Sequence, residues 1–101
     1  MDIIIYTQPE TLEHKKGADG HQLYFWNLPR PPRRFQEGDR IYFATAGAIR
    51  GYFICEMFHP VGEEMIVWDK DSWTPLEHPI PTPSFQGFKY ANKVPELKMQ
   101  R

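Results

Sequence analysis

The most regular apolar signal along the chain is its first one. Met1 to Tyr6 carries three consecutive isoleucines, and a β-branched run of that kind, stiff at χ1, predicts a strand buried on both faces near the middle of a sheet. Thr7-Gln8-Pro9-Glu10 has capping-box spacing with Pro9 in the first turn, and Leu12 to Lys16 completes about two turns of helix. Gly17-Ala18-Asp19-Gly20 ends it, since glycines flanking an aspartate favour turns with positive φ. His21 to Trp26 reads as a strand. Leu28-Pro29-Arg30-Pro31-Pro32-Arg33-Arg34 does not, because three of its residues lack a backbone donor, and it is expected as an exposed, stiff, cationic loop.

Glu37-Gly38-Asp39 is a turn signal that leads into a strand over 40–45. Ala46-Gly47-Ala48 then separates that strand from a second over 49–58, which makes a hairpin. Gly51 within the second strand marks either a bulge or a close approach to the backbone. Met65 to Trp68 is a further strand, turned by Asp69-Lys70-Asp71-Ser72 toward Trp73. The four prolines at 75, 79, 81 and 83 predict an ordered but irregular or polyproline-like arm. Phe85 to Tyr90 alternates aromatic and polar positions, as a half-buried last strand does. From Ala91 the chain is polar and charged with little to hold it. The expected organisation is one domain over 1–90 with a flexible tail over 91–101, and the fold class is mainly β (α+β): a small pseudo-barrel of five to seven mostly antiparallel strands with one or two short helices.

Composition changes this picture little. A chain of 101 residues, 41% hydrophobic and 15% aromatic, supports one core and not two. No apolar run approaches the roughly 20 residues that cross a bilayer, and the opening hexapeptide lacks the basic start of a secretory signal, so the expectation is a soluble cytoplasmic protein without membrane association. Cys55 stands alone in an apolar run and reads as a buried small hydrophobe. Net charge is −1, yet Leu28 to Gly51 holds Arg30, Arg33, Arg34, Arg40 and Arg50 against Glu37 and Asp39, a local balance of +3.

The stretch from Trp26 to Phe58, with its tryptophan, its Arg-containing loop, Glu37-Gly38-Asp39-Arg40-Ile41-Tyr42-Phe43 and Ile49-Arg50-Gly51-Tyr52-Phe53, resembles the central hairpin of the PUA-like superfamily and its EVE and ASCH members. The matching positions are Trp26, Gly38, Asp39, Ile49 and Gly51, the last four mainly structural. The resemblance implies a small pseudo-barrel with a cleft used in the family for RNA or modified nucleobases. The Gly-Lys-Glu-Arg signature of many ASCH members is absent.

Three constellations are candidates for chemistry. Arg30, Arg33 and Arg34 beside Trp26, with Arg40 and Arg50 across the hairpin, suit phosphate and unpaired bases, because guanidinium groups pair bidentately with phosphate and aromatic faces stack on bases. Trp68 and Trp73 either wall a base pocket or fill the core. Core packing is the better reading for Trp68, whereas Trp73 is open between pocket wall and plug. His14, His21, His59 and His78 lack the spacing of a metal pair, and no cofactor is implied. The leading expectation is therefore a binding module for RNA or a modified nucleobase through Trp26, Arg30, Arg33, Arg34, Arg50 and Trp73. A second is a protein-interaction module using the Pro79-Ile80-Pro81 arm. A third is an ASCH-type hydrolase of a modified nucleoside with Lys89 and Glu56 as its acid-base pair.

Overall fold

The computed structural model describes residues 1–18, 23–59 and 65–100. Its elements are β1 (Ile3–Tyr6), a five-residue α1 (Pro9–Glu13) continued by a wider π-type turn over His14–Ala18, and then six further strands: β2 (Leu23–Asn27), β3 (Arg40–Thr45), β4 (Ala48–His59), β5 (Met65–Asp69), β6 (Thr74–Pro81) and β7 (Phe88–Tyr90). The expected turn at Asp19-Gly20 and the start of the second strand at His21 lie outside the described residues.

The strands run in the order β2-β5-β4-β3-β1-β7, with β6 paired to β4 beside that path. They curl into a half-barrel. Only the β1–β3 pairing is parallel among the described residues, so the mainly β, mostly antiparallel pseudo-barrel is what this sequence builds. No helix among the described residues is long and apolar enough to cross a membrane.

Burial of β1 on both faces follows from the period of two along a strand. Ile3 and Ile5 join an interior cluster with Ile41, Phe43, Phe53, Ile66 and Trp68. Ile4 points the other way, into a second cluster with Tyr42, Ala44, Ile49, Leu76 and Ile80. β3 alternates in the same register, Ile41 and Phe43 inward and Tyr42 and Ala44 outward. The sheet therefore carries a core on each face, and something must cover the outer one.

The cover is made of two segments that the sequence reading expected as an irregular arm and a flexible tail. The proline-rich arm is β6, an edge strand whose Ile80 lies opposite Ile49 and whose Pro75 lies opposite Gly51. An edge tolerates proline because its missing donor faces no neighbour. Residues 91–97 are likewise not a loose tail. Ala91 and Leu97 are buried in the outer cluster, two 3₁₀ segments carry them (Ala91–Lys93 and Pro95–Gln100), and Ala91 N–H donates to the Asp2 carbonyl at 2.8 Å.

β4 is long enough to serve two partners on one edge. Its first half pairs with β6 and its second with β5, and at the jump between them Ile54 N–H donates to the Ser72 hydroxyl at 3.0 Å, so the ladder loses no bond there. Arg50 is the bulged residue, since Gly51 faces Phe43 while Ile49 faces Ala44. Gly51 is bare for a steric reason. A Cβ there would sit 2.6 Å from the Thr74 carbonyl oxygen and 2.6 Å from Cζ2 of Trp73. Both expectations for this glycine, bulge and close approach, hold together.

The expected capping box is not formed. Thr7 N–H is taken by the Ala44 carbonyl at 2.9 Å, extending the β1–β3 ladder, so the helix begins one residue later, with Gln8 as its N-cap and no side-chain cap bond.

Two variants test this architecture by urea unfolding. Gly51→Ala inserts a methyl against backbone and indole and is expected to destabilise by about 1–3 kcal/mol, the cost of overpacking. Leu97→Ala is expected to cost about 2–3 kcal/mol, in the range of buried leucine truncations, whereas a loose tail would leave the midpoint unchanged.

Candidate nucleotide-binding groove

The loop from Leu28 to Asp39 does more than link β2 to β3. Leu28, Pro32 and Phe35 are buried, Arg34 N–H donates to the Tyr90 hydroxyl at 3.3 Å, and the Arg30 guanidinium lies 4.6 Å from the ring centroid of Phe88. Phe88 and Tyr90 belong to β7, so the loop bridges the two end strands of the sheet and fills the gap that a half-barrel leaves. It is cationic at Arg30, Arg33 and Arg34, whose side chains are exposed, but as a whole it is anchored and not a free surface loop.

That anchoring shapes a groove of about 440 Å³, lined by Pro31, Pro32, Arg33, Phe35, Gln36, Glu37 and Phe58. Phe35 and Phe58 meet edge to face at 5.3 Å. Phe58 stays half-buried and forms an aromatic wall. The floor is held by local hydrogen bonds: Phe35 N–H to the Pro32 carbonyl at 3.4 Å, Asp39 N–H to the Gln36 carbonyl at 3.1 Å, and Gln36 N–H to Oδ2 of Asp39 at 3.0 Å. Rigid walls, one aromatic face, one guanidinium and the polar ends of Gln36 and Glu37 are the parts a mostly apolar ligand site uses.

Trp26 stands in the same cross-strand row as this wall. Its neighbour across β5 is Ile66, and Ile66 faces Phe58 on β4. The indole packs edge to face on Phe43 at 5.6 Å, with the Lys15 ammonium 5.8 Å from its ring.

The other residues expected at the site are not gathered here. Arg50 serves the hairpin turn: its Nε donates to the Thr45 carbonyl at 3.1 Å and its guanidinium NH2 group to the Ala46 carbonyl at 3.0 Å. Ala46 and Gly47 both have positive φ, 51° and 83°, as a tight two-residue hairpin turn requires. Arg34 and Arg50 thus sit toward opposite ends of β3, a strand about 20 Å long at ~3.4 Å per residue. Trp73 is a plug. Its ring lies over Gly51 and 4.9 Å from Phe53, and the Lys16 ammonium covers it at 5.2 Å. Trp68 is fully buried and stacked on Phe53 at 5.1 Å, as its apolar setting foretold. Its Nε1 meets no hydrogen-bond partner among the described residues.

The remaining chemistry is structural. Glu56 on β4 and Lys89 on β7 have β3 and β1 between their strands, and the Lys89 ammonium lies over Phe85 at 4.5 Å, so they form no acid-base pair. Ile80 of the proline arm is spent on the outer core and is not offered to a partner. Among the described residues no three His, Cys, Asp or Glu side chains gather as a metal site needs. Sequence reasoning missed Phe35, Phe58 and Gln36. The groove's only signal in the sequence was the proline-arginine loop itself, since Phe58 reads as an ordinary strand residue until the loop is seen to fold over it.

Compared with known proteins, the chain matches no protein-family model, no curated protein and no solved structure.

Burial pushes the Cys55 thiol up to about 12, reinforced by Glu37 and Asp39 against the opposing pull of the Val67 backbone. A thiolate is therefore scarce at neutral pH. Native protein should resist a thiol reagent at pH 8 and react on addition of denaturant. An acid whose pKa is raised on folding keeps its full contribution below the unfolded value and loses it above, so stability should fall as pH rises from about 9 toward 12. Cys55→Ala should flatten that slope.

Proposed function

We propose that this protein binds RNA or a modified nucleobase in the groove between the Pro31–Glu37 loop and Phe58. The observation that carries the reading is the conjunction of an aromatic wall, an exposed guanidinium and two polar side chains around an open groove of about 440 Å³. Each has a separate task. Phe58 offers a face on which any base stacks, worth about 1–3 kcal/mol per base in single-strand binding. Arg33 supplies the fork that matches a phosphate. Gln36 and Glu37 present acceptors to the exocyclic amines of a base edge, and Gln36 also donates.

The reading draws further support from the fold, a small β pseudo-barrel, and from the rigidity of the loop, which lowers the entropy lost on docking. It departs from the sequence expectation in its cations. Arg33 is the phosphate contact, Arg30 and Arg34 stand at its flanks against β7, and Arg50 and Trp73 hold the fold. Net charge near zero fits a site that recognises one or two nucleotides over one that tracks a long backbone.

Fluorescence anisotropy with a labelled mixed-sequence single-stranded RNA pool at low salt tests this. Arg33→Glu is expected to weaken binding about tenfold, the worth of a charge-assisted hydrogen bond, and to lower the salt slope by about 1. Phe58→Ala should weaken it by a similar factor with the salt slope unchanged. Arg50→Glu should lower the unfolding midpoint and leave affinity alone. Unchanged affinity in Arg33→Glu overturns the assignment.

A further inference from the structure

The groove between the Pro31–Glu37 loop and Phe58 carries two opposite charges that do not meet. Arg33 and Glu37 both line it, and both are exposed. Among the described residues neither side chain has a hydrogen-bond or ion-pair partner. A guanidinium and a carboxylate that stay apart in one groove are each available to a different end of a ligand.

Gln36 and Glu37 are also held more firmly than exposed loop residues need be. The Gln36 carbonyl accepts from Asp39 N–H at 3.1 Å, which closes a four-residue turn with Glu37 and Gly38 at its centre. Gly38 has the positive φ, 92°, that a type II turn requires at its third residue. One arm of the turn is fixed by the Asp39 carboxylate, which accepts from Gln36 N–H. The other is tied to β4: Gly38 N–H donates to the Cys55 carbonyl and Cys55 N–H to the Asp39 carbonyl, both at 2.9 Å. The Glu37 charge reaches the Cys55 thiol and helps push it up, so the carboxylate lies near the strand that carries Phe58. The turn thus sets side by side an amide that can donate and a carboxylate that can only accept.

We propose that the base this groove selects is guanine, in a nucleotide whose ring stacks on Phe58 and whose phosphate meets Arg33, a refinement that rests on the base binding proposed above. Among the four RNA bases only guanine has a Watson–Crick edge with two adjacent donors, N1–H and the N2 amine, beside one acceptor, O6. A carboxylate takes two parallel donors at once, so Glu37 matches N1–H and N2–H while the Gln36 amide donates to O6. Adenine and cytosine set their amine beside a bare ring nitrogen, and uracil sets its one N–H between two carbonyls. With each of these, one Glu37 oxygen faces a lone pair, a mismatch that discriminates more strongly than a missing contact does. The edge must be unpaired to be read, which limits the ligand to a free guanine nucleotide or a guanosine in single-stranded RNA.

NMR titrations of the full chain with GMP, IMP, AMP, CMP and UMP test this, read at the amides of Arg33 to Glu37 and Phe58. GMP is expected to bind about tenfold tighter than AMP, CMP or UMP, the worth of one charge-assisted hydrogen bond. IMP keeps N1–H but lacks the N2 amine and should fall between. Glu37→Gln, at an exposed position, should keep the unfolding midpoint and bring the GMP-to-AMP affinity ratio near one. The ratio is decisive because removing a carboxylate eases repulsion from every nucleotide's phosphate alike. A uridine-tract RNA with one central guanosine should bind tighter than the all-uridine strand. Affinity above that of GMP assigns the groove to RNA, and affinity equal to it to the free nucleotide; both support guanine selection. Equal affinity for all four nucleotides, IMP equal to GMP, or a ratio unmoved in Glu37→Gln overturns guanine selection and leaves base binding standing. No shift in the groove with any nucleotide or RNA overturns both.

Discussion

The contact on which the rest of the structure depends is the one made on the bare backbone of Gly51. There the Trp73 ring and the Thr74 carbonyl press close enough that a methyl group would have no room. This approach lets the chain leave β5, turn through Lys70–Ser72 and return to the same edge of β4 as β6. A side chain in place of that glycine would press on the Trp73 ring and the Thr74 carbonyl at the point where β6 begins. The bulge at Arg50 beside it adds local twist, and its guanidinium ties down the hairpin turn. With β6 held on this edge, its Leu76 and Ile80 help bury the outer cluster of Ile4, Tyr42 and Ala44.

A half-barrel leaves two end strands, β2 and β7, whose unpaired groups are a liability unless covered. The Leu28–Asp39 loop is the answer: Pro32, Phe35 and Leu28 enter the interior while Arg30 and Arg34 engage Phe88 and Tyr90. Closing the gap also makes the groove, since folding the loop across the barrel mouth places Arg33, Gln36 and Glu37 above Phe58. Stability and the proposed binding thus come from the same segment. Its prolines restrict the backbone where a ligand benefits from a fixed shape.

Local features of the sequence were legible where the physics is local. Three isoleucines in a row admit little but a buried strand, Ala46-Gly47 admits a tight turn, and Cys55 and Trp68 among large apolar neighbours are core. Gly51 announced a close approach without saying to what. Features set by long-range contacts were not legible. Prolines at 75, 79 and 81 argue against a strand until an edge position is known, and Ala91 and Leu97 are isolated apolar residues in a polar stretch until the outer cluster is seen to need them. The five arginines looked like one patch in sequence. A bulge and a bridging loop send them to different tasks, and the groove's aromatic wall comes from a strand about twenty residues further on.

The loop that closes the barrel is also the proposed binding site for the base. An NMR titration of labelled protein with mixed single-stranded RNA at low salt, following backbone amides and indole N–H signals, tests it most directly. Binding in the groove predicts shifts concentrated on Arg33 to Glu37, Phe58 and the Trp26 indole, fading as salt rises, with the Trp73 indole and the Thr45–Arg50 turn still. Shifts centred on Trp73 and the turn with the loop silent, or no shifts at all, would contradict it.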